Sequence, residues 1–208
     1  MKKHFVITIA RGYGSGGRTI GRMLAEKLGI SYYDREIVRK ASEDSGINEA
    51  LFNQADEKLK KNLLGKLRRK KYDGSVLPPE SSAFVSDDNL FNLQAKMIKE
   101  VAEKESCVIV GRCADYILKD RDDVISLYVH APMEHCLDTL ESMFSESRKD
   151  LRKKVEDIDK HRAAYYKYYT GRDWNDAHNY NLCIDTSKLT FEQGVEMVEA
   201  YLKILDEQ

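Results

Sequence analysis

A glycine-rich segment directly follows the first apolar run of the chain. The apolar run is Phe5-Val-Ile-Thr-Ile-Ala10, and the glycine-rich segment reads Gly12-Tyr-Gly-Ser-Gly-Gly-Arg-Thr19. The run is rich in β-branched residues, as is typical of a strand buried on both faces. Apolar residues then recur at helical spacing as far as Leu28. A strand, a glycine loop and a helix in this order are the context in which phosphate-binding loops occur.

The glycine-rich segment fits the pattern G-x-x-x-x-G-K-[ST] except that Arg18 stands where the pattern has lysine. Glycines allow backbone N–H groups to converge on a phosphate, and the positive end of the following helix dipole points at the same place. A glycine-rich turn that binds nothing is the alternative. We predict a nucleotide-binding loop, in which Thr19 offers its hydroxyl to Mg²⁺. Its residues are Gly12, Tyr13, Gly14, Ser15, Gly16, Gly17, Arg18 and Thr19.

Length and composition limit the class of protein. The chain has 208 residues, of which 42% are hydrophobic, and this predicts a single α/β domain over residues 1–208. No apolar run approaches the ~18 residues of a membrane span, and no signal-peptide pattern opens the chain, so we expect a cytoplasmic protein without a membrane partner. The four cysteines are widely spaced and predict reduced thiols. A net charge of −1 argues against a nucleic-acid partner.

Four further apolar runs alternate with helical patterns along the chain. They are Ile30–Tyr33, Cys107–Val110, Val124–Val129 and Leu182–Ile184. This alternation predicts a parallel sheet with helical crossovers, and ligands of such sheets bind outside the carboxyl ends of the strands. Asp34, Gly111, Arg112 and Asp185 fall at those ends. The sequence therefore predicts one site that is built from several loops.

Two basic stretches allow a structural and a functional interpretation. Lys58–Lys71 is either a solvated amphipathic helix or a flap that collects an anionic substrate, and the connection over residues 65–88 is either functional or disordered. Ser145–Arg172 is either a helix surface with many ion pairs or a lid that brings arginines to phosphates. Its tyrosines are expected to pack this segment onto the body of the protein.

The motifs, taken in order, resemble the cytidylate-kinase-like family of nucleoside monophosphate kinases. The resemblance implies a three-layer P-loop kinase fold, with about five parallel strands in the order 2-3-1-4-5 and helices on both faces. It also implies a helical acceptor-binding insertion over residues 35–104 and a lid over residues 145–176. The motifs are Arg11-Gly-Tyr-Gly-Ser-Gly-Gly-Arg18, Tyr32-Tyr-Asp-Arg-Glu-Ile37, Val108-Ile-Val-Gly-Arg-Cys-Ala-Asp115, Arg172-Asp-Trp-Asn-Asp176 and Ile184-Asp-Thr-Ser187.

The same resemblance implies transfer of the γ-phosphoryl group of ATP, with Mg²⁺, to a pyrimidine nucleoside monophosphate such as CMP or dCMP. The loop backbone would hold the donor phosphates, and Arg18 would replace the loop lysine on the β- and γ-phosphates. Arg112 would hold the acceptor phosphate, and Arg162 and Arg172 would act as lid arginines. The implied catalytic residues are thus Arg18, Arg112, Arg162 and Arg172. Arg11 lies beside the loop and could join them.

Two positions depart from the pattern of the family. Cytidylate kinases place aspartate directly after the Gly-Arg pair, whereas here Cys113 follows and Asp115 comes two residues later, which leaves the acceptor base open. Those enzymes also have an arginine for the acceptor phosphate six residues after the second-strand aspartate. Here Lys40 stands at that position with Arg39 beside it, and either residue, or neither, would bind the acceptor phosphate. The implied substrate-binding residues are Asp34, Arg39, Lys40, Gly111, Arg112 and Asp115.

Asp34 has two possible roles. It would hold Mg²⁺ through water or orient the acceptor, or it would cap the helix that follows it. For the whole chain, the alternatives are a kinase of another small metabolite and a nucleotide-binding regulatory protein with little catalysis, since the loop lysine is missing. No Asn-Lys-x-Asp motif points to a GTPase. The oligomeric state stays open, and a monomer fits the sequence.

Overall fold

A parallel sheet in the order β2-β3-β1-β4-β5 forms the middle of the molecule. The computed structural model describes residues 4–54 and 72–207, and the predicted stretch Lys58–Lys71 lies outside these residues. The strands are β1 (Val6–Arg11), β2 (Ser31–Tyr33), β3 (Cys107–Val110), β4 (Val124–His130) and β5 (Leu182–Asp185). The predicted strand positions and their order are confirmed.

Helices cover both faces of this sheet. They are α1 (Gly17–Leu28), α2 (Glu36–Ser45), α3 (Asp87–Lys104), α4 (Ala114–Ile117), α5 (Met133–Glu141), α6 (Arg148–Thr170) and α7 (Phe191–Asp206). Residues 49–54 are helical too. None of the helices described here is long and apolar enough to cross a membrane.

The two faces of β1 pack into two different cores, because successive side chains of a strand point in opposite directions. Ile7 and Ile9 belong to a core with α1 and α7. Val6 and Ala10 belong to the other core, with α2, α3, α4 and the C-terminal part of α6. The result is the predicted three-layer architecture.

Helix α6 packs on the body of the protein at one end and carries surface ion pairs at the other. Its C-terminal part packs on the body, where the Tyr169 ring stacks on Phe91 with the ring centroids 3.8 Å apart. Near its N-terminus, Arg148 forms ion pairs with Glu134 and Asp138 on the surface of α5. The tyrosine packing predicted from the sequence is confirmed, and Arg148 serves as a surface ion-pair residue.

The cysteines agree with the sequence prediction. All four are free thiols, and Cys107, Cys113 and Cys136 are buried. Burial raises the pKa of the Cys107 thiol to about 12 and that of Cys136 to about 11, so both are protonated and unreactive at neutral pH.

Candidate active site

The glycine-rich loop joins the end of β1 to the first turn of α1. Gly14 and Gly16 have φ values of 82° and 80°, a conformation that L side chains rarely adopt. The Ser15 hydroxyl donates to the Val129 carbonyl over 3.0 Å, and the Thr186 hydroxyl donates to the Ser15 carbonyl over 2.9 Å, which ties the loop to the sheet. Helix α1 has neither a side-chain cap nor an acidic residue in its first turn. Its N-terminal amides therefore suit an anion.

A strained turn follows β3 on the same side of the sheet. Gly111, Arg112 and Cys113 have consecutive positive φ values of 78°, 60° and 54°. For a residue other than glycine this conformation costs about 1–3 kcal/mol, and such strain is concentrated at functional sites. The turn is held by the Gly111 amide, which donates to the Ile9 carbonyl over 2.9 Å. Arg112 emerges from it and donates to Gln94 Oε1 over 2.7 Å.

A cavity of about 420 Å³, called here the arginine cavity, opens where β1, β2 and β3 end beside α2. This volume is within the range typical of small-molecule sites, ~300–1,000 Å³. Four arginines line it together with two carboxylates, and guanidinium groups suit the binding of phosphate. The lining residues are Arg11, Arg18, Asp34, Arg35, Val38, Glu49, Asn53, Val110 and Arg112.

Asp34 forms ion pairs inside this cavity and does not cap α2. Its Oδ2 lies 2.8 Å from Arg18 Nε, and its Oδ1 lies 4.0 Å from Arg11 Nη2. The N-cap residue of α2 is Arg35, without a side-chain cap bond, and the amide of Asp34 donates to Glu36 Oε2 over 3.0 Å. The capping alternative for Asp34 is therefore wrong, and Arg18 is directed towards the arginine cavity.

A second, partly aromatic cavity lies on the other side of Arg11 and Arg112; we call it the aromatic cavity. Six of its lining residues were not expected from the sequence as site residues, namely Ala10, Cys113, His161, Tyr165, Tyr166 and Trp174. The signal that could have found three of them is the helical spacing of residues 161, 162, 165 and 166 on one face of α6. The lining residues are Ala10, Arg11, Gly111, Arg112, Cys113, Asp115, His161, Arg162, Tyr165, Tyr166 and Trp174.

Asp115 is a half-buried carboxylate in the wall of the aromatic cavity. Its Oδ2 accepts a hydrogen bond from the Tyr166 hydroxyl over 2.6 Å. Burial raises the pKa of Asp115 from 3.8 to about 6, against the opposing effect of the Tyr166 hydrogen bond. The carboxylate therefore titrates close to neutral pH and can accept a hydrogen bond from a ligand when it is ionised.

Asp115→Asn is expected to stabilise the protein at pH 8 by about 2–3 kcal/mol, because a buried charge is removed while the amide oxygen still accepts from Tyr166. The folded state of the parent binds the Asp115 proton more tightly than the unfolded state does. The parent therefore gains stability as the pH falls through 6, and the advantage of the variant disappears near pH 4. Urea unfolding at several pH values measures the difference in the free energy of unfolding between the variant and the parent. Asp122→Asn, at an exposed position, is the control. If Asp115→Asn changes this free energy equally at pH 8 and pH 4, the charge of Asp115 is not the cause.

Helix α6 is hydrogen-bonded to the glycine-rich loop. The Asp159 carboxylate accepts from the Tyr13 amide over 2.9 Å, and Arg162 Nη1 donates to Asp159 Oδ1 over 3.0 Å. Arg162 Nη1 also donates to the carbonyl of Arg11 over 3.0 Å. Burial lowers the pKa of Arg162, and Asp159 opposes that effect. Arg162 thus lies beside the loop, and its role as a lid arginine stays a prediction. Asp159 was missed as a site residue although it lies one helical turn before Arg162.

Three residues that were predicted for catalysis or acceptor binding lie outside both cavities. Arg172 is exposed, and its guanidinium carbon lies 5.2 Å from the centre of the Tyr116 ring. Arg39 is exposed on α2, and Lys40 Nζ lies 5.7 Å from the Tyr33 ring centre beside a separate groove. For Arg39 and Lys40 the reason is the rotation of α2, which places Arg35 and Val38 towards the arginine cavity. Arg35 thus lines the cavity although it was not predicted as a site residue.

The predicted magnesium residues, Thr19 and Asp34, have oxygen donors of the kind that Mg²⁺ prefers. Asp34 is, however, in contact with Arg18. Within residues 4–54 and 72–207, no group of three or more His, Cys, Asp or Glu side chains could hold a metal ion. Mg²⁺ commonly takes most of its ligands from water and substrate phosphates, with one or two from carboxylates. The assignment of Thr19 and Asp34 therefore stays a prediction.

Comparison with known families decides how these features are classified. Residues 6–188 match the model of the cytidylate kinase-like family. The chain belongs to this family. It is thus a phosphotransferase of the nucleotide kinase type, with ATP as the co-substrate. This cytidylate kinase-like protein is 23% identical to the cytidylate kinase of Methanopyrus kandleri, over 98% of this chain and 95% of that one. It is 24% identical to the cytidylate kinase of Pyrococcus horikoshii, over 99% and 92% of the two chains.

Solved structures agree on the fold of this cytidylate kinase-like chain. An uncharacterized protein from Eubacterium ventriosum superposes with a TM-score of 0.71 at 24% identity, covering 96% of this chain and 99% of that one. The shikimate kinase of Bacteroides thetaiotaomicron superposes with a TM-score of 0.52 at 13% identity, covering 96% and 98%. At these identities the likeness identifies the P-loop kinase fold.

Proposed function

We propose that the protein is a nucleoside monophosphate kinase that transfers the γ-phosphoryl group of ATP to CMP or dCMP, with ADP and the nucleoside diphosphate as products. The observation that carries the proposal is the position of the arginine cavity. It lies beside the glycine-rich loop, and it is lined by arginines from β1, α1 and the turn after β3. An acceptor that carries its own phosphate matches this concentration of positive charge.

In the proposed reaction, an oxygen of the acceptor phosphate forms a bond to the γ-phosphorus while the bond from that phosphorus to ADP breaks. Catalysis of this kind depends on positioning and on positive charge around the transferred group. The amides of Gly14–Thr19 would hold the donor phosphates, and Arg112 would hold the acceptor phosphate. Arg18 was expected on the β- and γ-phosphates, but it lines the arginine cavity beside Asp34, and we propose that it holds the acceptor phosphate with Arg112. Arg162, which already contacts the loop, would approach the transferred group. Mg²⁺, when bound with ATP, would neutralise phosphate charge, with Thr19 and Asp34 as the candidate ligands.

The aromatic cavity is our proposal for the place of the acceptor's nucleoside part. It adjoins the arginine cavity through Arg11 and Arg112, which line both. Aromatic walls suit a flat base, and ionised Asp115 would accept a hydrogen bond from an amino group. We accordingly propose residues 35–104 as the acceptor-binding region and residues 145–176 as the lid, within one domain.

A coupled assay of ADP release tests the proposed function. With ATP and Mg²⁺ present, CMP or dCMP is expected to raise turnover at least about tenfold above the rate with ATP alone. UMP, AMP, GMP and non-nucleotide metabolites that can be phosphorylated are compared at equal concentration. Stimulation by a non-nucleotide acceptor alone would support a kinase of another small metabolite. Binding of ATP without transfer to any acceptor would support a regulatory protein.

A further inference from the structure

Arg11 is the residue at which the loop, the arginine cavity and the aromatic cavity meet. It is the last residue of β1 and directly precedes the glycine-rich loop. Its side chain is only 14% exposed, and it lines both cavities. Burial lowers the pKa of Arg11 from 12.5 to about 9, and repulsion from Arg162, Arg18 and Arg112 adds to this effect, against attraction from Asp34. The group is still charged at neutral pH.

Among the described residues, the charge of Arg11 has one long ion pair, with Asp34. The Nε of Arg11 is buried without a hydrogen-bond partner among those residues. Asp34 Oδ1 lies 4.0 Å from Nη2, but the other oxygen of Asp34 pairs with Arg18 over 2.8 Å. The second nearby carboxylate, Asp159, pairs with Arg162 over 3.0 Å. A buried guanidinium in this situation is unfavourable unless an anion joins it.

The turn after β3 leaves room for this guanidinium. A Cβ atom on Gly111 would lie 2.3 Å from Arg11 Nη1, closer than real Cβ contacts allow. Gly111 also has a positive φ of 78°, which itself favours glycine. The backbone that positions Arg112 therefore also accommodates Arg11 between the two cavities.

We propose that Arg11 is a catalytic residue that contacts the phosphate monoester of the acceptor and supplies the fixed positive charge at the junction of the two cavities. The loop has no lysine, and Arg18 is held by Asp34 on the acceptor side. Arg11 directly precedes the loop, and its buried Nε has no hydrogen-bond partner among the described residues. That this phosphate belongs to the acceptor rests on the proposed function. The binding of a phosphate at Arg11 does not depend on the proposed function.

The first experiment uses inorganic phosphate as the probe. The protein is saturated with a non-hydrolysable ATP analogue, so that the loop is filled, and the rise in melting temperature with phosphate is measured at constant ionic strength. Arg11→Met is expected to weaken phosphate binding at least tenfold, and Arg11→Lys to weaken it less. Without phosphate, Arg11→Met should melt at or above the temperature of the parent, because a buried charge with a long ion pair is removed. Arg22→Met, an exposed arginine of α1, is the control and should behave like the parent.

A second variant displaces the guanidinium without removing its charge. Gly111→Ala is compared with Gly171→Ala, since Gly171 has a similar φ of 75° but no atom of the described residues lies within 4 Å of the place that a Cβ would take there. Both variants place alanine at a similar positive φ. Gly111→Ala alone is expected to lose phosphate affinity, by about the same factor as Arg11→Met. This variant also decides the question if Arg11→Met does not fold.

Steady-state kinetics separate this proposal from the proposed function. If CMP is the acceptor, Arg11→Met should lower kcat/KM for CMP by about 10²–10³-fold while KM for ATP changes less than threefold. If Arg11→Met keeps the phosphate shift and kcat/KM of the parent, the assignment of Arg11 is overturned although the kinase activity stands. If no nucleoside monophosphate is phosphorylated by the parent, the proposed function is overturned, and the phosphate measurement still decides on Arg11.

Discussion

Replacing Arg112 with methionine is expected to lower kcat/KM for the acceptor by about 10²–10³-fold, the loss typical when one charged donor to a transition state is removed. Arg112 leaves the strained turn after β3, lines both cavities and donates to Gln94 Oε1 over 2.7 Å. That hydrogen bond orients the guanidinium. We therefore expect Arg112 to contribute chiefly to substrate binding and transfer.

The measurement is the coupled assay with varied acceptor and saturating ATP, together with circular dichroism to verify folding. Arg112→Lys should recover part of the loss, because the charge remains while the planar fork is missing. Arg22→Met on the exposed side of α1 is the matched control and should retain the activity of the parent. If Arg112→Met keeps the kcat/KM of the parent, Arg112 does not hold the acceptor phosphate.

Replacing Gly16 with alanine is expected to lower the free energy of unfolding by about 2–4 kcal/mol. The strain of a left-handed conformation contributes about 1–2 kcal/mol, and steric overlap contributes the rest. A Cβ at Gly16 would lie 2.1 Å from Cε1 of Phe191, the first residue of α7, so that ring or the loop must move. Because the loop conformation itself presents the amides, ATP affinity should fall as well.

Urea unfolding of Gly16→Ala and of Gly171→Ala separates the two contributions to the loss. Gly171 has a φ of 75°, and the described residues leave open space where a Cβ would lie, so its variant should show the strain alone. Adding Phe191→Ala to Gly16→Ala should recover part of the difference, since the overlapping ring is removed. Equal losses in the two glycine variants would show that packing against Phe191 is unimportant.

The loop and its flanking elements could be predicted from the sequence because their signals are local. The β-branched run predicts a buried strand, the glycines predict the left-handed positions, and the helical spacing predicts α1. The sequence predicted Arg39, Lys40 and Arg172 as site residues, but these residues lie outside both cavities. A motif position specifies the residue type, whereas the face of the helix that meets the cavity depends on how that helix packs, as α2 shows by presenting Arg35.

The sequence by itself determined the family, the parallel sheet and the position of the glycine-rich loop, because each is encoded by neighbouring residues or by motifs in a fixed order. Only the tertiary structure decided which charges meet. Asp159 reaches the Tyr13 amide across 146 residues of sequence, and Asp34 pairs closely with Arg18 but only at 4.0 Å with Arg11. These partners are brought together by the packing of α6 on the body and by the pairing of β2 with β3, and no local pattern records how distant elements pack.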